Sequence, residues 1–184
     1  MKDIDLLLDQ AKRCSKILKK ISLNQMGDDK FISKVTIQNL LTEIIKSFEE
    51  ISDKRIILTL EEAKKEILIK RSPEITYGIR NFIGNAVKYS KSQIKVHLYT
   101  SSDKVKIKIV DNGPGFPEDI FDIIGQPYIS SNSAVLSGKA GLGLGTFIGK
   151  TLLERKKAFL NFSNLEKGKG AVVNIVWNTS DIII

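Results

Sequence analysis

Residues 104–116 read KVKIKIVDNGPGF, and this stretch decides how the chain folds. Its lysines alternate with Val105, Ile107 and Ile109, a period of two that is typical of a β-strand with one buried face. Asp111 continues the apolar face, where an unpaired carboxylate is costly, so it requires a hydrogen-bond donor. The strand alone leaves two interpretations open: Asp111 caps the turn that follows, or it binds a ligand.

The loop after the strand favours the second interpretation, in which Asp111 binds a ligand. Gly113 and Gly115 flank Pro114, and positions without a side chain let a flat ligand approach the backbone closely. A carboxylate beside such a loop can accept a hydrogen bond from an exocyclic amine, the group by which adenine is recognised. We therefore expect an adenine pocket at the end of this strand.

A helix precedes this strand, with Ser72 as its cap and Pro73 in its first turn. Asn81 and Asn85 lie four residues apart and so share one face, with Lys88 and Tyr89 one turn further on. An amide oxygen suits Mg²⁺, which keeps waters and nucleotide phosphates as its other ligands. Lys88 would add charge at the phosphates and Tyr89 would pack on the base. The alternative interpretation is a polar helix face exposed to solvent.

Downstream, residues 140–150 read AGLGLGTFIGK and lead into a helix that begins near Leu144. Backbone amides of this loop and the positive end of the helix can hold phosphates. The five residues concerned are Gly141, Leu142, Gly143, Leu144 and Gly145. A Walker loop is excluded because Leu144 occupies the position at which that motif requires a glycine. The dinucleotide fingerprint is excluded because its glycines are spaced GxGxxG, whereas here the spacing is GxGxG.

The remaining patterns complete one domain with a short N-terminal segment. Residues 36–50 predict a further helix, and five more strands are predicted at 55–60, 66–70, 93–100, 158–164 and 171–177. The fold class is therefore α+β, a two-layer α/β sandwich with a mixed sheet covered by helices on one face. Residues 3–21 form one amphipathic helix in front of it. We predict a helical segment at 1–24, a linker at 25–35 and the main domain at 36–184.

Composition narrows the class of protein further. The 184 residues carry a net charge of +8, but the lysines are spread along the chain and aromatic residues make up only 7%, so no nucleic-acid partner is expected. No apolar run is long enough to span a bilayer, and the first residues, MKDIDLLLDQAKR, lack the basic segment and apolar stretch of a signal peptide. Cys14 is the one cysteine, which excludes an internal disulfide and fits a cytoplasmic location.

The order of the motifs resembles the ATP-binding fold, of the Bergerat type, that sensor histidine kinases share with gyrase-type topoisomerases, Hsp90 chaperones and mismatch-repair ATPases (the GHKL superfamily). NAVKYS at 85–90 resembles the asparagine box of the kinases, DNGPGF at 111–116 their first glycine box and GLGLGTFI at 141–148 their second. The resemblance extends from about Thr36 to Trp177.

The resemblance implies a role for each matching position. Asp111 would bind the adenine amine, Gly113 and Gly115 would shape its pocket, and Asn85 would carry Mg²⁺. The glycines at 141, 143 and 145 would border the phosphates, and residues 117–140 would form a lid over ATP. Family members often have a threonine near adenine in the last strand, and Asn174 is predicted to occupy that place.

Finer similarity points to redox-responsive sensor kinases of the RegB type, through GQPYISS at 125–131, FIGKTLLER at 147–155 and QAKRCSKIL at 10–18. Residues 3–21 would then match the second helix of a dimerisation hairpin, and the parent protein would be anchored in the inner membrane. Cys14 is either a redox thiol or a small buried residue on the helix seam.

Position 81 separates the subclasses of the superfamily. Its hydrolytic members and its serine kinases place glutamate there, because water and serine hydroxyl need a base. Asn81 cannot serve as one, whereas a neutral imidazole is already nucleophilic. Histidine is therefore the favoured acceptor, and an anti-sigma-type serine kinase is the less favoured alternative.

The chain contains no phosphoacceptor motif. Its one histidine, His97, lies in the strand 93–100, where alternation places it on the surface face. We therefore expect a catalytic domain that transfers the γ-phosphoryl group of ATP to a histidine outside this chain, in a pathway that ends on a response regulator. Autophosphorylation is not expected, and a nucleotide-binding regulatory module without kinase activity is the second alternative.

Overall fold

A computed structural model of the chain describes residues 34–61, 66–127, 144–165 and 169–184. Several predictions fall outside these ranges: the N-terminal helix with Cys14, most of the linker, most of the lid, and three loop residues of the second glycine box, Gly141, Leu142 and Gly143.

The domain is built on a mixed five-stranded sheet. Its strands are β2 (Arg55–Glu61), β4 (Gln93–Thr100), β5 (Lys104–Asp111), β6 (Phe159–Asn164) and β7 (Ala171–Asn178), in the spatial order β2-β4-β5-β7-β6. The pair β2 and β4 is parallel and the other neighbours are antiparallel. Two short strands, β1 (Lys34–Thr36) and β3 (Leu68–Lys70), form a separate antiparallel pair.

The helices begin where the sequence supplies caps. Helix α1 (Ile37–Glu49) starts after Thr36, whose hydroxyl accepts the Asn39 N–H at 3.1 Å. Helix α2 (Pro73–Tyr89) starts after Ser72 in the same way, with proline in the first turn. Helices α3 (Leu144–Glu154) and α4 (Thr179–Ile182) follow the gap and the last strand, and a 3-10 helix spans Glu118–Ile123.

One hydrophobic core joins the sheet and the helices. Alternate residues of the central strands are buried, as the period of two predicts, and they meet the apolar stripes of α1 and α2. The largest fully buried side chains include Leu40, Leu41, Ile44, Ile79, Ile83, Ile94, Leu98, Ile107, Ile109 and Trp177. The predicted α+β two-layer sandwich is confirmed.

Three elements were absent from the sequence-based predictions. Strand β1 begins at Lys34, inside the stretch predicted as a linker. The short 3-10 helix lies in a predicted loop, and α4 follows the last predicted strand, where no element is predicted. Each is six residues or shorter, which is too short for periodicity to reveal.

Close packing fixes α3 against α2. A Cβ added at Gly78 would lie 2.5 Å from Leu153 Cγ, and one added at Gly149 would lie 3.0 Å from Asn81 Cβ. These two glycines let the helix backbones approach, and the approach brings the first turn of α3 onto the asparagine face of α2.

Among the described residues, no helix combines the length and the apolar character that crossing a membrane requires.

Candidate nucleotide-binding site

Asp111 is a buried carboxylate at the end of the central strand β5. It is 7% exposed, and its Oδ1 accepts the Gly113 N–H at 2.7 Å and the Ala171 N–H at 3.3 Å. Burial raises the pKa of Asp111 above its ordinary value, and the hydrogen bonds from Gly113 and Ala171 oppose part of that rise. The aspartate thus both caps its turn and keeps further acceptor capacity, so the two interpretations of the sequence are compatible.

The first glycine box packs against the end of α2. A Cβ at Gly113 would clash with the backbone carbonyl oxygen of Tyr89, so only glycine fits between that carbonyl and Asp111. Gly115 has φ +85°, a left-handed conformation that favours glycine, and a Cβ there would lie 2.7 Å from Asn164 Oδ1. The two glycines predicted to shape the pocket therefore sit where side chains are excluded.

Asn112 fastens this turn to the start of β4. Its Oδ1 accepts the backbone N–H groups of Lys91, Ser92 and Gln93 at 3.0, 3.0 and 3.1 Å, and its Nδ2 donates to Ser92 Oγ at 3.0 Å. One signal for this role is visible in the sequence, since asparagine side chains commonly satisfy backbone groups at turns.

Asn164, at the end of β6, holds the last residue of the first glycine box, Phe116. Its Oδ1 accepts the Phe116 N–H at 2.7 Å and its Nδ2 donates to the Phe116 carbonyl at 2.9 Å. The Phe116 ring packs edge-on against Phe162 and Phe121, which ties the loop to β6 and to the 3-10 helix. No sequence pattern pointed to Asn164, because its partner is 48 residues away.

The asparagines of α2 and the first turn of α3 meet directly. A Cβ added at Gly145 would lie 3.6 Å from Asn81 Oδ1 and 3.6 Å from Asn85 Oδ1. Asn85 Nδ2 donates to Thr146 Oγ1 at 3.1 Å, and Asn81 Nδ2 donates to the Tyr77 carbonyl at 2.8 Å. Asn85 Nδ2 lies 3.8 Å from the same Cβ position, so the side-chain amide groups of both asparagines border the space beside Gly145. Thr146 was not predicted.

Lys88 and Tyr89 lie one turn beyond Asn85. The Lys88 side chain is exposed, and its ammonium lies 4.9 Å from the centre of the Tyr89 ring. This is a cation–π contact, which leaves the lysine charge near the end of α2. Leu144, the first residue of α3, is half-buried beside Gly145.

The prediction for Asn174 is wrong. Asn174 pairs with Lys108, whereas the buried positions of β7 pair with Ile107 and Ile109, so Asn174 lies on the opposite face of the sheet from Asp111. Ala171 instead adjoins Asp111 and donates its N–H to the carboxylate. The strand begins at Ala171, and the period of two then decides which residues share the face of Asp111.

His97 lies on the outer face of β4, as predicted. It pairs with Lys108 of β5 and Thr59 of β2, and its Nδ1 lies 2.6 Å from Glu61 Oε1. This contact holds the ring on the face opposite the hydrophobic core.

Within the ranges that the structure describes, no group of three or more His, Cys, Asp or Glu side chains could hold a metal ion. A divalent cation here would rely on the Asn85 amide oxygen, water and nucleotide phosphates. Magnesium accepts that kind of oxygen ligand set, and the open Asn85 oxygen fits it.

The fold and this site define a class of protein. The family model described as "Histidine kinase-, DNA gyrase B-, and HSP90-like ATPase" matches residues 70–180, well over half of the chain. The chain belongs to this family of ATP-binding domains.

The similar proteins narrow the class to sensor histidine kinases. The chain is 32% identical to "Sensor histidine kinase RegB" of Cereibacter sphaeroides over an alignment of 204 positions, which covers 99% of this chain and 43% of that protein. The chain therefore spans less than half the length of this relative. The predicted resemblance to RegB-type kinases is confirmed, and the chain is a catalytic ATP-binding domain of the sensor histidine kinase type.

Solved structures agree on the fold. The mycobacterial sensor histidine kinase MprB is similar with a TM-score of 0.65 at 18% identity, covering 80% of this chain and 97% of that one. The catalytic domain of histidine kinase ThkA gives a TM-score of 0.65 at 20% identity, with the same two coverages. At these identities the likeness concerns the fold alone.

Proposed function

We propose that this domain binds ATP with Mg²⁺ and transfers the γ-phosphoryl group to a histidine supplied by another chain or by a segment outside this sequence. One observation carries the proposal. Helix α2 contacts both glycine boxes: its last residue, Tyr89, packs on Gly113, and its asparagines face Gly145. Base and phosphate sites would then lie side by side along the C-terminal half of one rigid element.

Each predicted residue has a place in this proposal. Asp111 accepts the adenine amine in a pocket shaped by Gly113 and Gly115. The phosphates lie along the second glycine box, from Gly141 through Leu142, Gly143 and Leu144 to Gly145, next to the positive end of α3.

The face of α2 supplies the remaining groups. Asn85 ligates the metal and Asn81 lines the same space, while Tyr89 borders the base. Lys88 reaches the phosphates by leaving the Tyr89 ring. Bound Mg²⁺ would neutralise phosphate charge, and the protein contributes mainly positioning of the nucleotide for in-line transfer.

Asn81 supports histidine as the acceptor. Its Oδ1 lies 3.6 Å from the Cβ position of Gly145. A base for water or for a serine hydroxyl would occupy the place of Asn81, but the asparagine amide cannot take a proton at neutral pH. An imidazole nitrogen needs no such base. His97 is not proposed as the acceptor because it is held by Glu61 on the outer face of the sheet.

The domain division and the setting are part of the same proposal. Residues 1–24 are the second helix of a dimerisation hairpin, and a linker beginning at residue 25 leads to the catalytic domain, whose first strand β1 starts at Lys34. We place the chain in the cytoplasm, where ATP is available, with a parent kinase anchored in the inner membrane. The phosphorylated histidine then serves a response regulator.

The test is phosphorylation in trans. The full chain is incubated with γ-labelled ATP, Mg²⁺ and a separate hairpin that bears the acceptor histidine of a RegB-type kinase, and the Asn85→Ala variant is the control. We expect acid-labile phosphate on the hairpin with the wild type and none with the variant. Tight ATP binding without transfer would leave a nucleotide-binding module, and acid-stable phosphate on the partner would indicate a serine kinase.

A further inference from the structure

Thr146, in the first turn of α3, contacts the asparagine that the proposed function assigns to the metal. Its Oγ1 accepts a hydrogen bond from Asn85 Nδ2 at 3.1 Å, and both side chains are half-buried. Thr146 directly follows Gly145, so one turn of α3 meets Asn85 through both a glycine and a hydroxyl.

Orientation decides whether an asparagine can serve a cation. The two ends of the side-chain amide are nearly identical in shape, but the oxygen is an acceptor and the nitrogen carries two donors. A half-turn about the last side-chain bond would present the NH₂ group, which repels a cation. Magnesium also demands near-ideal geometry, so a freely turning amide is a poor ligand.

In both asparagines of α2, the side-chain nitrogen is held by a hydrogen bond. Asn85 Nδ2 donates to Thr146 Oγ1 and Asn81 Nδ2 donates to the Tyr77 carbonyl. Both oxygens lie 3.6 Å from the Cβ position of Gly145, and Asn85 Nδ2 lies 3.8 Å from it, so the hydrogen bond to Thr146 decides which end of the Asn85 amide is free for a cation. The bond from Asn81 joins a side chain to the backbone carbonyl of Tyr77 within α2. The Thr146 bond is different because it joins α2 to α3 and depends on one side chain.

We propose that Thr146 is a positioning residue: its hydroxyl holds the Asn85 amide so that Oδ1 faces the metal beside the phosphates. This inference rests on the proposed function, since it concerns the same Mg²⁺ site. If Thr146 acts in this way, loss of its hydroxyl should lower nucleotide affinity in the presence of Mg²⁺ and should have little effect on affinity in its absence.

Two substitutions separate the hydroxyl from the bulk of the side chain. Thr146→Val keeps the shape and removes the acceptor, whereas Thr146→Ser keeps the acceptor and removes a methyl group. Thr151→Val, on the same helix, is the matched control for loss of a hydroxyl elsewhere in α3. Thermal unfolding of each variant reports whether the fold is retained.

The measurement is calorimetric titration of the full chain with a non-hydrolysable ATP analogue, once in excess Mg²⁺ and once in EDTA. We expect Thr146→Val to raise the Kd about three- to tenfold in Mg²⁺ and to leave it nearly unchanged in EDTA. Thr146→Ser and Thr151→Val should stay close to the wild type under both conditions.

The outcomes distinguish the two levels of the proposal. If the wild type binds the analogue equally with and without Mg²⁺, the proposed metal site itself is wrong. Two other results would overturn the inference while leaving the metal site in place. In the first, Mg²⁺ increases the affinity of Thr146→Val as much as it increases that of the wild type. In the second, Thr146→Val loses as much affinity in EDTA as it does in Mg²⁺, so the hydroxyl does not act through the metal.

Discussion

Asn164 holds Phe116 by both backbone groups: Oδ1 accepts the Phe116 N–H at 2.7 Å, and Nδ2 donates to the Phe116 carbonyl at 2.9 Å. A side-chain amide here replaces the bonds that a neighbouring strand would make. The residue before Phe116 is Gly115, so this pair of bonds also holds in place one of the two glycines proposed to shape the adenine pocket.

Loss of the two hydrogen bonds from Asn164 to Phe116, called here the Asn164 clamp, should weaken both the fold and nucleotide binding. Asn164→Ala removes two hydrogen bonds and is expected to lower the free energy of unfolding by about 1–3 kcal/mol. Asn164→Asp keeps the shape but turns a carboxylate oxygen toward the Phe116 carbonyl, so it should cost at least as much. Urea unfolding and analogue titration measure the two effects. The control is Asn161→Ala, an exposed position of the same strand; equal losses for Asn161 and Asn164 would refute the clamp.

Replacing the buried carboxylate should separate binding from stability. In Asp111→Asn the amide oxygen can still accept the N–H groups of Gly113 and Ala171, but an NH₂ group then faces the adenine amine. We expect ATP affinity to fall at least about tenfold, the value for a lost hydrogen bond to a charged group. Stability at neutral pH should be unchanged or higher, because the desolvated charge is gone. A variant that is folded and still binds ATP normally would exclude Asp111 from the adenine site.

The raised pKa of Asp111 predicts a pH dependence with a definite sign. The folded protein prefers the protonated carboxyl, so this residue's contribution to stability is fully present below its unfolded pKa and is lost as pH rises through the folded pKa. As pH rises from the unfolded pKa of Asp111 to its folded pKa, the free energy of unfolding of the wild type should therefore fall relative to that of Asp111→Asn. Urea unfolding at a series of pH values tests this, and a constant difference would contradict it.

Nucleotide affinity should respond to the same titration in the opposite direction. An ionised carboxylate accepts the adenine amine more strongly than a protonated carboxyl does, so affinity should fall as pH decreases through the pKa of Asp111, and the fall should begin above the range of an ordinary aspartate. Asp111→Asn is the control, because titration of the nucleotide itself affects both proteins equally. Parallel pH profiles for the two proteins would show that Asp111 does not titrate at the site.

The close approach of α2 and α3 should appear as coupling between Gly78 and Leu153. An added Cβ at Gly78 would lie 2.5 Å from Leu153 Cγ, so Gly78→Ala should destabilise the fold by about 1–3 kcal/mol despite the better helix propensity of alanine. Leu153→Ala should cost about 2–5 kcal/mol through the cavity it leaves. In the double variant the methyl group at 78 fills part of that cavity, so the loss should be smaller than the sum. Additive losses would mean that the helices are not in contact there.

His97 should be dispensable for phosphoryl transfer. Its ring is held by Glu61 on the outer face of the sheet, so His97→Gln is expected to phosphorylate a separate histidine hairpin as fast as the wild type. The wild-type chain incubated alone with labelled ATP should carry no acid-labile phosphate, and label on His97 would contradict this expectation.

The sequence by itself determined the strands, the main helices and the order of the motifs. Strands β4 and β5 have the predicted bounds, and α2 begins at the predicted Ser72 cap, because these signals are local: alternation along one strand, or a hydroxyl and a proline at one helix end. The same locality made the family recognisable from three short stretches.

The tertiary structure alone decided which residues meet. Thr146 reaches Asn85 across 61 residues, Asn164 reaches Phe116 across 48, and Ala171 rather than Asn174 adjoins Asp111. Each contact depends on helix approach or strand register, and a shift of one residue in register turns a side chain to the other face of a sheet. A linear pattern specifies the faces of single elements, whereas packing between elements specifies the site.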